Sequence, residues 1–332
     1  MVDEIVYFQY ASGKTFSIAQ YAFFQLFHRD CCLIFCGINI KVTLVKRFLC
    51  LCEKSCKFIM FAFVKFMDAD RRIDIMGIVN LTDDSYFAQS RCVSVGQAVS
   101  RAERLVGEGA SILDFGACST RPGSEPVGAD EEWKRLEPVL KEVRRQFPDV
   151  RISVDTYWSQ VVRMAYDLVG DFIVNDISAG EDDPDMLPLV GSLGLTYVAM
   201  HKRGTPKTMQ SMTDYEDVVE DVVRYFEDFG QKAVRYGMKD WILDPGFGFA
   251  KTIEQNYQML GRLERFSALG RRVLVGISRK SFIYRKLGIS PQEALPATQA
   301  LHLQALVKGV DILRVHDVAE AARTVELYKA LV

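Results

Sequence analysis

The chain sets a polar or ionisable side chain at the end of almost every short apolar run: Asn80, Asp114, Asp155, Asn175, Met200 with His201, Asp244, Ser278 with Lys280, and Arg314 with His316. Such groups cost free energy to desolvate unless they are satisfied, so packing alone does not call for them. Asp155, Asn175 and Asp244 are short groups suited to the donor-rich edge of a flat heterocycle, because a carboxylate accepts two parallel N–H bonds and an amide both gives and takes. Each taken singly reads equally well as a strand-end cap of the next helix. Lys280, Arg314 and His316 add positive charge beside them, and Arg121 follows Thr120 in STRPGSEP, which implies an anionic ligand group such as a phosphate or diphosphate. Asn80 with Thr82, Asp83, Asp84 and Ser85 makes an oxygen-rich turn fit for a hard cation such as Mg²⁺. The same residues also suit an Asx turn that caps a helix.

Other chemistries are excluded. No Cys/His cluster has zinc spacing, no Gly-rich loop has a Walker pattern, and four histidines (His28, His201, His302, His316) indicate no Ser-His-Asp triad. A net charge of −2 provides no basic field for nucleic acid. Of eight cysteines, six (Cys31, Cys32, Cys36, Cys50, Cys52, Cys56) crowd the first 60 residues, so the main body reads as reduced and cytoplasmic. Asp3 and Glu4 oppose a secretory signal, and the apolar runs 16–27 and 31–40 are too short to span a bilayer, so no stable membrane association is expected.

The elements that must carry these side chains are short β-branched runs alternating with amphipathic helical stretches. Strands are predicted at 73–80, 111–116, 151–156, 171–176, 195–200, 240–245, 272–278 and 311–317. Helical patterns lie at 95–108, 130–146, 159–168, 215–236, 252–269, 297–308 and 319–331. Eight such units specify a (β/α)₈ TIM barrel, in which strand ends form the active-site face. A doubly wound dinucleotide fold would need Gly-x-Gly-x-x-Gly after the first strand, where the chain reads NLTDDSYF. Residues 1–66 differ in character, being aromatic, Cys-rich and without clear caps. They are read as an N-terminal extension to a barrel domain over 67–332: an accessory segment, a membrane-surface anchor, or sequence upstream of a true start at Met60 or Met67.

Taken together, GIVNLTDDSYF (77–87), DFGACSTRPGSEP (114–126), SVDT (153–156), NDIS (175–178), MHKRGTPKTMQ (200–210), DPGFGFAKT (244–252), GISRKSF (276–282) and RVHDV (314–318) resemble the ordered signatures of the dihydropteroate synthase family, over about Asp74–Val332. That resemblance implies a transferase of folate biosynthesis that joins 6-hydroxymethyl-7,8-dihydropterin diphosphate to 4-aminobenzoate. It implies that Asp155, Asn175, Asp244 and Lys280 hold the pterin edge and that Arg314 packs against the ring. Asn80 would ligate Mg²⁺ and the diphosphate, assisted by His316 and Arg121. Phe249 and Pro122 would flank the aminobenzoate, whose carboxylate lies near Ser278, with Thr120 and Met200 completing the substrate contacts. Lys280, Arg314, His316 and Asp155 become the catalytic set, and a homodimer is implied.

Two departures stand out. Asp83 and Tyr86 replace the Pro and first Phe usual in the first loop, and Ala117-Cys118 replaces the usual Gly-Glu before STRP. The competing functions are a pterin- or folate-binding methyltransferase domain of the same barrel type, against which SRKSF and STRP argue, and a silent binding paralogue, which would be expected to lose Lys280, Arg314 or His316.

Overall fold

In the computed structural model the described residues are 71–81, 94–118, 127–205 and 207–332, with two short strands nearer the N-terminus. The chain divides into two units, Met1–Phe63 and Val64–Val332. In the first, Tyr7–Gln9 pairs antiparallel with Thr15–Ser17. The site loops 82–93 and 119–126 lie outside the described residues.

The second unit contains eight parallel strands: β1 Asp74–Asn80, β2 Ile112–Gly116, β3 Arg151–Asp155, β4 Ile173–Asp176, β5 Thr196–Met200, β6 Trp241–Asp244, β7 Leu274–Val275 and β8 Ile312–Val315. Their order is β6-β5-β4-β3-β2-β1-β8-β7, and a parallel bridge between Leu243 and Val273 joins the two ends into a ring. The predicted (β/α)₈ barrel is therefore the observed fold, with each strand trimmed at its ends and the seventh reduced to two residues.

Period-2 alternation sorts the side chains. Met76, Ile112, Ile173, Val198, Ile242, Leu274 and Ile312 form an apolar plug of their own, one from each strand except β3. The intervening residues, such as Ile75, Leu113, Val154 and Leu243, join the core shared with the helices. Those helices are α1 Val95–Gly107, α2 Ala129–Gln146, α3 Ser159–Val169, α4 Met186–Leu193, α5 Val218–Arg235, α6 Ile253–Gly261, α7 Glu264–Ser267, α8 Ser281–Leu287, α9 Leu295–Val307 and α10 Val318–Leu331. The single helix expected over 252–269 is two, because Arg262 leaves helical geometry at φ −129°. Helices α4 and α8, of eight and seven residues, are too short to show a clear amphipathic period.

Two residues before the plug in β1, the buried Asp74 forms ion pairs with Arg151 and Arg272 and accepts from Ser111 Oγ at 2.9 Å. Burial raises its pKa, but the two guanidinium contacts outweigh that and hold it down at about 2. A carboxylate depressed in the fold stabilises above its unfolded pKa and loses that contribution as pH falls through the folded value. Asp74→Asn should therefore lower unfolding free energy by about 2 kcal/mol at pH 7. Urea titration at several pH values should show the gap from wild type closing as pH falls from about 4 to about 2.

Candidate active site

On the far side of the plug from Asp74 the alternation continues with polar groups. Arg314 on β8 is the centre: its Nε donates to Asp114 Oδ2 at 2.7 Å and its Nη2 to Asp155 Oδ2 at 2.7 Å, so one guanidinium ties β8 to β2 and β3. Asp114, fully buried, also accepts from Ser153 Oγ at 2.6 Å and from Asn175 Nδ2 at 3.2 Å. Asp114, Ser153, Asp155, Asn175 and Arg314 thus form one connected network across four strands.

Electrostatics in this network are finely opposed. Burial pushes Asp155 up toward about 7, the Arg314 guanidinium pulls it down, and Asp114, Asp176 and Asp244 push it up again. Asp244, at the end of β6, is likewise raised by burial and held back by Lys280. Its Oδ1 accepts from Gly246 N at 2.8 Å, which fixes the carboxyl orientation. Lys280 is lowered to about 8 by burial, with Asp244 opposing. The Lys280 ammonium donates to the Phe247 carbonyl and stands 4.8 Å from the Phe249 ring centroid. The turn 246–249 therefore connects Asp244, Lys280 and Phe249.

Beside β8, Ser278 Oγ accepts from the His316 backbone N–H at 3.2 Å and lies 3.1 Å from His316 Nδ1. Both contacts are satisfied when the hydroxyl donates to Nδ1, which places the ring proton on Nε2. Burial lowers the His316 pKa to about 3, so without a bound anion the side chain expected to be a cation is a neutral imidazole at neutral pH, able to hydrogen-bond an anion. Arg279, between Ser278 and Lys280, has a left-handed backbone (φ 52°) and a two-pronged ion pair to Asp317 at 2.8 and 2.9 Å, which locks the β7 and β8 loops together.

The predicted residues Asp155, Asn175, Met200, Asp244, Phe249, Ser278, Lys280, Arg314 and His316, with Asn80 at the end of β1, all sit at or just beyond strand ends on the same face of the barrel. Thr120, Arg121 and Pro122 lie outside the described residues. His201 does not join the Arg314 network: it is buried, packs edge-on to Tyr225 at 4.8 Å and contacts Lys251. Sequence reasoning placed Asp114 in the strand-end cluster without giving it a partner, and left Ser153, Arg279 and Lys251 out of the site. Parity along β3 was the available signal for Ser153, and the SRK and GFGFAK motifs for the others.

Mg²⁺ typically keeps several waters and takes one or two protein oxygens plus substrate phosphates. A single amide oxygen at Asn80 fits that donor set. Among the described residues no group of three or more His, Cys, Asp or Glu side chains could form a protein cage, and no helix is long and apolar enough to cross a membrane.

Comparison with known proteins agrees with this geometry. Residues 76–316 match the family model described as pterin binding enzyme. The dihydropteroate synthase of Synechocystis sp. is 39% identical over 267 residues, covering 80% of this chain and 92% of that protein. The folic acid synthesis protein fol1 of Schizosaccharomyces pombe is 40% identical over 264 residues, but the chain spans only 36% of that protein's length. The crystal structure of dihydropteroate synthase from Thermus thermophilus in complex with 4-aminobenzoate aligns with a TM-score of 0.70 at 39% identity, covering 80% of this chain and 96% of that one. A match through nearly the whole barrel, to the Synechocystis and Thermus enzymes almost end to end, places the chain among the pterin-binding enzymes, in the dihydropteroate synthase family.

Proposed function

We propose that this chain condenses 6-hydroxymethyl-7,8-dihydropterin diphosphate with 4-aminobenzoate, giving 7,8-dihydropteroate and diphosphate. The observation that carries the reading is the Arg314-centred network of Asp114, Asp155 and Asn175 beside the Asp244–Lys280 pair, an acceptor-rich wall with cations at one barrel mouth. Asp155, Asn175 and Asp244 receive the N–H groups of the pterin edge, and Lys280 donates to its acceptors. The aniline nitrogen attacks the exocyclic methylene carbon; a C–N bond forms, the C–O bond to diphosphate breaks, and the amine proton passes to solvent. Asp155 and Asp244 favour positive charge developing on the pterin, and Arg314 and Lys280 favour departure of the anion. His316 and Arg121 add hydrogen bonds to it, while Thr120, Pro122, Met200, Phe249 and Ser278 seat the substrates. Asn80 is the residue that would hold Mg²⁺, which when bound supplies charge neutralisation at the diphosphate.

The same reading makes the enzyme a cytoplasmic homodimer built on residues 67–332, with 1–66 an extension outside the reaction. Diphosphate release measured with both substrates, with each alone, and in excess chelator tests the proposal. Release should need both substrates and Mg²⁺, Asn80→Ala should weaken the Mg²⁺ dependence, and a chain begun at Met67 should retain the rate. Release with pterin diphosphate alone would remove the transfer reaction, and unchanged release in chelator would remove the metal.

A further inference from the structure

The DPGFGFAKT segment lends Asp244 and Phe249 to the proposed reaction and leaves Lys251 with no part in it. Lys251 is only 4% exposed, and its side chain folds back under the preceding turn. Its Nζ lies 3.0 Å from the Gly246 carbonyl, 3.0 Å from the Phe249 carbonyl and 3.0 Å from His201 Nδ1. Three partners meet a group with three positions to satisfy. As an ammonium it donates to all three; as a free amine it donates to the carbonyls and accepts from an imidazole Nδ1–H. Burial lowers the pKa of both groups, for Lys251 against the opposing pull of Asp244 and for His201 together with the Lys251 and Arg203 charges, and the contact is complete in either protonation state.

The turn needs an external hold. Its own closure is one hydrogen bond, Phe249 N to Gly246 O at 3.1 Å, and Ala250 occupies the left-handed region at φ 50°. A non-glycine residue stays there only where its surroundings over-determine it. Gly246 packs so closely on the residue after β5 that a Cβ there would lie 2.0 Å from the His201 carbonyl, so only glycine fits. Beyond it Gly248 N donates to Asn256 Oδ1 at 2.7 Å and Lys280 donates to the Phe247 carbonyl, and at the Phe249 carbonyl itself Lys251 supplies the hold. We propose that Lys251, held by His201, is a positioning residue that fixes Phe249 as one wall of the aminobenzoate seat, an inference that rests on the reaction proposed above.

Lys251→Met keeps the length of the side chain and removes all three contacts. The KM for 4-aminobenzoate should rise about 10-fold while the Kd for the pterin substrate, measured by calorimetry, stays within about 2-fold. His201→Phe keeps a ring against Tyr225 and removes only the Nδ1 contact, so it should raise the same KM by about 3-fold. A merely structural lysine would lower the melting temperature and the active fraction without moving KM. An unchanged aminobenzoate KM in both variants, or a pterin Kd that rises in parallel, overturns the inference, provided wild type turns over both substrates in the same assay. Absence of turnover in wild type instead sinks the proposed reaction.

Discussion

Asp244→Asn should abolish pterin binding in a protein that still folds. Gly246 N–H donates to Asp244 Oδ1 at 2.8 Å and will hold the oxygen of the replacement amide in that place. The NH₂ group is then forced to the other side, toward the pterin donors and the Lys280 ammonium. Where a carboxylate met donors, a donor meets donors, and a buried acceptor site is lost at about 3 kcal/mol or more, which is at least about 100-fold in Kd. Ser278→Ala is the paired control. It removes the hydroxyl that links the His316 backbone and Nδ1, so the aminobenzoate KM and the turnover change while pterin affinity survives. Calorimetry with the pterin substrate separates the two: intact affinity in Asp244→Asn, or lost affinity in Ser278→Ala, would mean that the two strand ends serve the opposite substrates.

The second large effect is expected at Arg314. Its fork satisfies two carboxylates from different strands at 2.7 Å each, and removal leaves both buried without their cation. Arg314→Met should lower unfolding free energy by about 3–5 kcal/mol and eliminate measurable turnover. Arg314→Lys should recover only part of either loss, because a single ammonium cannot reproduce the two-pronged planar geometry. The sign of the pH dependence is fixed. Without Arg314 the Asp155 pKa rises further above the ordinary carboxylate value, and a carboxyl whose folded pKa is raised costs stability above that pKa and regains it on protonation. The deficit relative to wild type should therefore narrow between pH 8 and pH 5. Denaturant unfolding at both pH values checks this, and a deficit that widens on acidification would show that Asp155 does not carry the uncompensated charge.

What the sequence determined by itself was the architecture and the chemistry on offer. Short β-branched runs at 73–80, 111–116 and 311–317 marked the strands, while which of their residues face the axis came from the folded register. Eight strand-and-helix units then left one economical closure, and residues such as Asp155, Asp244 and Arg314 were legible because each ends a strand where a barrel keeps its active site. Pairings and protonation were decided only by the tertiary structure. Arg314 and Asp114 are 200 positions apart, and they meet because β8 pairs with β1 and β1 with β2 in the folded sheet. His316 looked like a cation because its type is ionisable, yet burial makes it a neutral partner of Ser278. Lys251 sat inside a recognised motif, but its task is set by His201, 50 residues away. Periodicity is a local property and survives in the sequence; desolvation and long-range hydrogen bonds sum over neighbours that only the folded chain brings together.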